Sequence, residues 1–576
     1  MTPEPPPEPC PPAPKKSRAW IATAIVFVLA FDLALGWQRA GGAWQSEFGG
    51  HPDEAGHYVT GLFVRDAAVM AAHYAADGFH GSPVAVGKEF ADDYYAHYPK
   101  VGLGVWPPFF YLVQSAWTLP FSPSRGSILL LMCALAATVA VQLFRVLRAE
   151  FGFPLAAFGA AAFLSLPLVR NYYGMVMAET LSAALMFGAV LAFGDFLDRE
   201  KRGDALRFGL LAALAILTKG TGLALALAAP LALLFTRRWH LLKRPALWSA
   251  VLIIAVLAGP WTWATRDLGK GGWEEPAMSL HFTAKALPYY ATKFGFSLGF
   301  LMLLLFGVGA FVKLRTFAGP GRPGSLQGAG ASRPEVKTAF GRSSNPGRWA
   351  AAGAFILSVL AFQSLAPVGL EARHLIPAVP AVLMFAVAGF TALMDQSQAW
   401  KSPGGARIRL FWSVMFGVLV LTTSAWPLSK KGFTGFAPLA EAMRGDATAV
   451  DVTLVSSDAR GEGMFISEVA MHEHRPGHTI LRASKALAKS SWSGSDYAPL
   501  FKNDDDLFDY LTNGKIQYLA IDDAVPEDKR RTHQDQLKRV LEQHSDVFAL
   551  VASAEMFRDG VRQFAPAQLY KIRRKN

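Results

Sequence analysis

Cysteine and charge are what this sequence has least of. Its 576 residues include only two cysteines. Cys10 lies in a proline-rich tail and Cys133 inside an apolar run, so no disulfide joins them in this reading. A secreted scaffold stapled by disulfides is excluded. Charged residues make up 17% of the chain, against about 25% in an ordinary soluble protein. A nucleotide fingerprint is also missing: no G-x-G-x-x-G follows a strand and no Walker A sequence occurs. TKGTG at 218–222 lacks both the upstream glycine and the preceding strand, so ATP-driven chemistry loses its usual signature. What fills the chain instead is apolar: 52% hydrophobic residues and a mean hydropathy of +0.25. The formal charge of +12 does not point to nucleic acid, because the basic residues stand between apolar runs, where a membrane protein needs them.

A helix needs about 20 largely apolar residues to cross the hydrocarbon core. The sequence predicts about 11 spans, at 19–37, 126–145, 154–169, 178–195, 205–218, 221–236, 246–264, 294–314, 349–367, 374–394 and 409–427. The aromatic segment 107–121 is bounded by proline and reads as an interfacial or re-entrant helix. Making it a full span would put the basic loops RVLRAEF and TRRWHLLKR outside, against the positive-inside rule. With that choice, the first long loop (38–125) and the C-terminal domain face outward. The protein is then a multi-pass inner (plasma) membrane protein with both parts on the outer, periplasmic side.

Residues 1–18 read as a disordered, proline-rich cytoplasmic tail. The basic cluster at its end and the run that follows act as an uncleaved signal anchor. Residues 316–348, rich in Gly, Pro, Ser and Arg, read as a flexible cytoplasmic linker between parts of a transmembrane domain spanning 19–428. From 429 to 576 the composition becomes that of a soluble domain. VDVTLVSS, IQYLAIDD and FALVASAEMF read as strands, alternating with the helical patterns DDDLFDYLTN and HQDQLKRVLEQH. This predicts a small α/β domain with a largely parallel sheet.

The first loop carries the chemistry. HPDEAGHY places Asp53 and Glu54 side by side soon after the first span. Paired carboxylates at a membrane surface can take a proton from an incoming hydroxyl, or hold a metal or other cation. The plainer alternative is that they cap a helix running through GHYVTGLFVRDAA. His51, His57, His73, His80 and His97 share this loop. Asp53 and His57 stand at i, i+4, a possible metal pair. Without a recognisable zinc pattern, these histidines and those at 472, 474 and 478 read as solvated loop residues. A divalent cation stays possible and no cofactor is assigned. Asp32, inside the first span, is costly enough to need a partner and reads as structural.

Four features occur in order: the DE pair, the Pro-Pro-aromatic segment VWPPFFYL, LTKG at a span end, and EARHLIPAVPAVL in a late span. Over roughly residues 19–394 the chain resembles the membrane glycosyltransferases of the GT-C class. The protein O-mannosyltransferases and the bacterial aminoarabinose and rhizobial lipopolysaccharide sugar transferases are nearest in pattern. The resemblance implies a catalytic carboxylate at Asp53, with Glu54 beside it, and a donor sugar linked through phosphate to a polyprenol. It also implies fixed positive charge for the leaving phosphate. Arg373, flanked by Glu371 and His374, is the first candidate, and an interfacial arginine paired with Glu371 is the alternative. Lys219 is the second, unless it is only an interfacial anchor. Glu179 falls where relatives often carry an acid, or it simply starts a helix. Relatives commonly have His or Lys before Pro-Pro, where this chain has Trp106. The phosphate contact of that position is therefore lost or passed to Lys100 or His97, and Trp106 is free to stack on a sugar face.

The function expected is sugar transfer, with inversion, from a polyprenyl-phosphate donor to an outer-face lipid, glycan or protein hydroxyl. The partners are that donor, the acceptor and the bilayer, without nucleic acid. A secondary transporter or flippase would show internal repeats and ionisable groups at the bilayer midplane. No repeat is seen, and the polar candidates gather at the outer interface. A non-catalytic assembly protein on the same fold is the other rival.

Overall fold

Apolar runs become helices, and helix length decides which of them can cross a bilayer. In the computed structural model, described over residues 17–270, 273, 275, 277–318, 345–395, 405–425, 431–446, 448, 451–490 and 496–574, six helices are long and apolar enough. They are Trp20–Ala40, Arg125–Phe151, Glu179–Arg199, Pro245–Ala264, Pro346–Leu365 and Ala372–Met394. Two bent pairs raise the number to eight, Phe153–Ser165 with Pro167–Tyr173 (64°) and Leu280–Leu298 with Phe300–Lys313 (107°).

Of the 11 expected spans, six to eight pass by length and apolarity among the described residues, and the run at 409–427 lies in the 21-residue helix Gly405–Ala425. The helix Arg202–Ile216 has 15 residues and Leu225–Thr236 has 12, about 22 and 18 Å at 1.5 Å per residue, against a core of about 30 Å. The run 154–169 is broken at Pro167, and Gly299, with φ of 77°, turns the chain between Leu280–Leu298 and its successor. The segment 107–121 forms a ten-residue helix, Phe109–Thr118, far too short to cross. The tail at 1–16 and nearly all of the expected linker (319–344) lie outside the described residues.

The helix Glu179–Arg199 is largely buried in the bundle. It packs against Arg125–Phe151, Arg202–Ile216 and Pro346–Leu365. Small residues permit close crossing elsewhere: a Cβ at Gly309 would fall 1.9 Å from Phe385 O, and one at Gly389 equally near Leu305 O. The first helix is peripheral, and Asp32 is exposed on it, away from the charged cluster described below.

The C-terminal domain carries a five-stranded sheet. Its strands are β1 (Val452–Ser456), β2 (Thr479–Arg482), β3 (Ile516–Asp522), β4 (Phe548–Ala554) and β5 (Ala567–Ile572), in the order β2-β1-β3-β5-β4. β1 pairs in parallel with β2 and β3, but β5 is antiparallel to both β3 and β4. The sheet is thus mixed rather than largely parallel. The reason is local: β4 runs into a tight hairpin, Phe557–Arg562, and the chain returns beside it as β5 without a crossover helix. The helices Asp504–Asn513 and Thr532–Gln543 form where their amphipathic patterns predict. Asn503 caps the first by accepting from Asp506 N at 2.7 Å.

This domain does not hang free. Phe48, Tyr58, Tyr94 and Tyr98 of the first loop share one hydrophobic core with Phe433, Phe436, Met464 and Phe465. Glu47 accepts from the backbone N–H of Gly435, Phe436 and Ala437, at the start of the helix Phe436–Asp446. Asp66 pairs with Arg475 at 2.7 Å, Arg125 with Glu468, and Tyr98 donates to Glu473. The first loop and the C-terminal domain form one body above the bundle.

Candidate active site

Proline and glycine shape the turn that presents Asp53. After Gly49-Gly50-His51-Pro52, the helix Glu54–Ala76 begins with Asp53 at its N-cap position. A capping role would have the carboxylate accept from the first backbone N–H groups. It makes no such bond. Instead it accepts from Arg373 Nη2 at 3.0 Å, across more than 300 residues of sequence. Glu54 is turned elsewhere: its two oxygens accept from Gly50 N (2.8 Å) and Val176 N (3.2 Å). Burial raises the Glu54 pKa against the pull of Lys431 and of those backbone bonds. The adjacent acids therefore do not act as a pair. One joins a charged cluster, and the other ties the turn to the segment before the helix Glu179–Arg199.

Arg373 is the hub of the cluster. It stands in the 3-10 turn Ala372–Ala378, which contains Pro377 and is followed by Pro380. Besides Asp53, its guanidinium approaches Glu371 Oε2 at 2.7 Å and Glu179 Oε1 at 3.4 Å. Glu179, at the first turn of its helix, also accepts from Lys219 Nζ. Lys219 is held extended between the helix Arg202–Ile216 and the 3-10 turn Gly220–Ala224. The interfacial-arginine alternative is thus half right: Arg373 does pair with Glu371, and it gathers two further carboxylates as well.

Exposure grades through the cluster. The Glu179 side chain is 1% exposed and Arg373 9%, whereas Asp53 is 28% and Glu371 34% exposed. Asp53 and Glu371 are the members open to solvent. Burial pushes the Asp53 carboxyl up, but the Arg373 guanidinium with His51 and His57 outweighs this and holds it at about 2.

His51 is the residue sequence reasoning missed. Read as a solvated loop histidine, it lies between the two exposed acids: Nε2 is 3.1 Å from Glu371 Oε2, and Nδ1 accepts from the Asp53 backbone N–H at 3.1 Å, 3.5 Å from Asp53 Oδ2. Its only sequence signal is its place beside Pro52 and Asp53. His57 and His478 also depart from that reading. His57 is buried, hydrogen-bonded to Tyr111 OH at 2.7 Å and stacked on Trp106 with ring centroids 4.2 Å apart. Burial drives its ring down to about 3, so it is neutral. His478 is hydrogen-bonded to Glu473 at 2.6 Å. His73, His80, His472 and His474 are exposed, as expected, and His97 is bonded to Asp93 O. Among the described residues, no group of three or more His, Cys, Asp or Glu side chains is arranged to hold a metal.

The remaining candidates surround the cluster without entering it. Trp106 packs on His57, in space left by Gly102, where a Cβ would come within 2.4 Å of the indole. Lys100 is buried and donates to Pro52 O at 3.1 Å, under the turn that carries Asp53. Burial and Arg482 lower Lys100 to about 7, against Glu462 and Asp53. His374 is buried beside Arg373, bonded to Tyr290 OH at 3.0 Å.

Residues 105–263 match the family model of dolichyl-phosphate-mannose-protein mannosyltransferases. That stretch includes Trp106, Glu179 and Lys219 but neither Asp53 nor Arg373. No curated protein matches the chain. Among solved structures, it is similar to ArnT from Cupriavidus metallidurans in the apo state, at 14% identity and a TM-score of 0.60, covering 96% of this chain and 98% of that one. ArnT bound to undecaprenyl phosphate aligns at 15% identity and 0.54, over 95% and 98%. The Archaeoglobus fulgidus oligosaccharyltransferase tethered with an acceptor peptide aligns at 13% identity and 0.50, over 88% of this chain and 69% of that one. At such identities the structural likeness is one of fold, shared over nearly the whole chain. With the family match at 105–263, it gives the chain the GT-C fold of a multi-pass membrane protein, similar to membrane glycosyltransferases.

Proposed function

We propose that the protein transfers one sugar from a polyprenyl-phosphate carrier to a hydroxyl on an outer-face lipid, glycan or protein, with inversion at the anomeric carbon. The first loop and the C-terminal domain then lie on the periplasmic side of the inner membrane. The observation that carries this reading is the Asp53–Arg373 pair. A carboxylate open to solvent sits 3.0 Å from a buried guanidinium that a second cation, Lys219, supports through Glu179.

In this mechanism the acceptor hydroxyl gives its proton to Asp53 as its oxygen attacks the anomeric carbon. The bond from that carbon to the phosphate oxygen breaks, and the phosphate leaves with the electron pair. Negative charge grows on the phosphate, where Arg373 and Lys219 supply fixed positive charge. The arrangement also accounts for how a carboxylate at about 2 becomes a useful base. An incoming phosphate competes for Arg373, and weakening of that pairing lets the Asp53 pKa rise toward the substrate hydroxyl's need. A single displacement needs one base and no covalent intermediate, and Asp53 supplies that base. ArnT has been seen with undecaprenyl phosphate, which supports a polyprenyl phosphate as the carrier here.

The test is transfer by purified protein from radiolabelled polyprenyl-phosphate sugars, with Asp53→Asn alongside. Label should move to a lipid or glycan acceptor in the wild type and not in the variant. No transfer from a broad donor panel, with folded protein, would refute the reading. Transfer surviving in Asp53→Asn would keep the enzyme and refute the site.

A further inference from the structure

Arg373 holds Asp53 by its carboxylate, but under the proposed function that hold loosens when a donor phosphate arrives. What then keeps the carboxylate in place is the backbone that carries it. The turn opens with Gly49 and Gly50, which lend it little stiffness of their own. It is held instead at two points, and both lead to the C-terminal domain.

The first is direct packing. A Cβ at Gly49 would fall 2.4 Å from Met464 Sδ and 2.8 Å from Phe433 Cβ, so the domain presses on the bare backbone of the turn. Just before it, Glu47 N donates to Phe433 O at 2.6 Å. Met464 lies on the helix Ala459–His472, next to Gly463. A Cβ at Gly463 would stand 3.0 Å from Ala55 Cβ and 3.1 Å from Lys100 Cε. Glycine there lets Ala55 and the Lys100 stem pack on the domain's helix together.

The second is Lys100 itself. It is 8% exposed, and its Nζ donates at 3.1 Å to Pro52 O, the carbonyl that adjoins Asp53. Its own backbone is fixed in turn. Lys100 N donates to Tyr98 O at 2.6 Å, and Gly102 N to Thr60 Oγ1 at 2.9 Å. The Tyr98 hydroxyl donates to Glu473 and accepts from Gly477 N at 2.9 Å. Short contacts therefore run from the C-terminal domain through Tyr98 and Lys100 to the peptide before Asp53. An apolar side chain would fill the same space without the desolvation that a buried amine suffers, so the amine calls for a task.

We propose, on the reading of Asp53 as the base, that the C-terminal domain positions that carboxylate and that Lys100 is the positioning residue through which it does so. Lys100 acts on the Pro52 carbonyl and keeps Asp53 aimed at the acceptor hydroxyl once Arg373 turns to the phosphate. Misplacing a reacting group by about 1 Å can cost about 10²-fold in rate, so even a small shift of the turn is felt.

The experiment is single-turnover transfer by the full chain from a radiolabelled polyprenyl-phosphate sugar, with the donor concentration varied. Lys100→Met keeps the stem and removes the amine. It should lower the saturating rate about ten-fold and leave the half-saturating donor concentration within about two-fold of wild type. Gly463→Ala, which presses on the Lys100 stem from the domain side, should lower the saturating rate about five-fold. Because both act through one turn, the double variant should lose little more than Lys100→Met alone, whereas independent losses would multiply. Gly463→Ala decides the matter if Lys100→Met fails to fold. A saturating rate per folded molecule unchanged in these variants, a loss confined to half-saturation, or losses that multiply would overturn the proposal. Wild type that transfers nothing overturns the proposed function and this inference with it. Transfer lost in Asp53→Asn but kept in Lys100→Met overturns this inference alone.

Discussion

The two ends of the helix Glu179–Arg199 each carry a cluster of buried charge, and they differ in one respect. At the Arg199 end every acid is satisfied. Asp195 meets Arg348 Nε at 2.5 Å and Arg199 at 2.7 Å. Asp204 accepts twice from Arg199, and both Asp198 oxygens accept from Gly347 N. None of these three acids leaves a buried oxygen without a partner. At the Glu179 end, Glu179 Oε2 is buried without a hydrogen bond, and Asp53 and Glu371 reach open space. Unsatisfied buried polar atoms are uncommon in folded proteins and call for a reason. A closed network holds helices in register, whereas an open one keeps hydrogen-bonding capacity for a ligand.

Substitutions at the two ends should therefore separate activity from stability. Asp53→Asn should lower the transfer rate by about 10²–10⁴-fold, the usual share of a general base, with a thermal midpoint near wild type. Arg373→Lys keeps the charge but loses the planar fork, and should lower kcat/KM by about 10–10². Steady-state transfer assays with a labelled donor measure both. Asp195→Asn should do the reverse. Breaking one side of a buried ion pair costs about 3 kcal/mol, read by denaturant unfolding, while turnover per folded molecule stays unchanged. If Asp195→Asn abolishes transfer in folded protein, the distinction between the two ends fails.

A smaller effect sharpens the contrast between neighbours. Glu54→Gln should cost about 1–3 kcal/mol of stability, because two backbone donors lose a charged acceptor, and should leave transfer within about ten-fold of wild type. A loss equal to that of Asp53→Asn would return Glu54 to the reacting centre. The smallest effect is one of pH. Burial and Glu468 push Glu47 up from 4.5 to about 7, against its backbone bonds to Ala437, Gly435 and Phe436. A carboxyl raised on folding favours the folded state when protonated. The stability it lends is therefore full below about 4.5 and declines as pH climbs from there to about 7. Glu47→Gln, permanently neutral, should flatten that stretch of the unfolding-midpoint profile. Asp53 behaves oppositely. Its pairing contributes above 3.8 and is lost only as pH falls toward about 2, so the free enzyme should show no limb from Asp53 between about pH 5 and 8.

Much of this was legible before folding. Mean hydropathy and the spacing of basic residues give a membrane bundle, because crossing a bilayer demands length and apolarity that composition records directly. The strands at 452–456 and 516–522 and the helices at 504–513 and 532–543 follow from periodicity. HPDE and EARH mark Asp53 and Arg373 as uncommon charges at a membrane surface. The span count was less legible, since a run of 15 apolar residues looks the same whether it crosses, bends at proline or packs as a short helix.

The sequence by itself determined the class of molecule, the acidic turn in the first loop and the cation late in the chain. Only the tertiary structure decided that Asp53 turns to Arg373 while Glu54 turns to Gly50 and Val176, and that His51 joins the cluster while His57 lies under Trp106. The physical reason is distance along the chain. Local propensity governs the few residues of a turn, but a carboxylate's partner is whichever donor the packed bundle brings within about 3 Å, and here that donor lies 320 positions away.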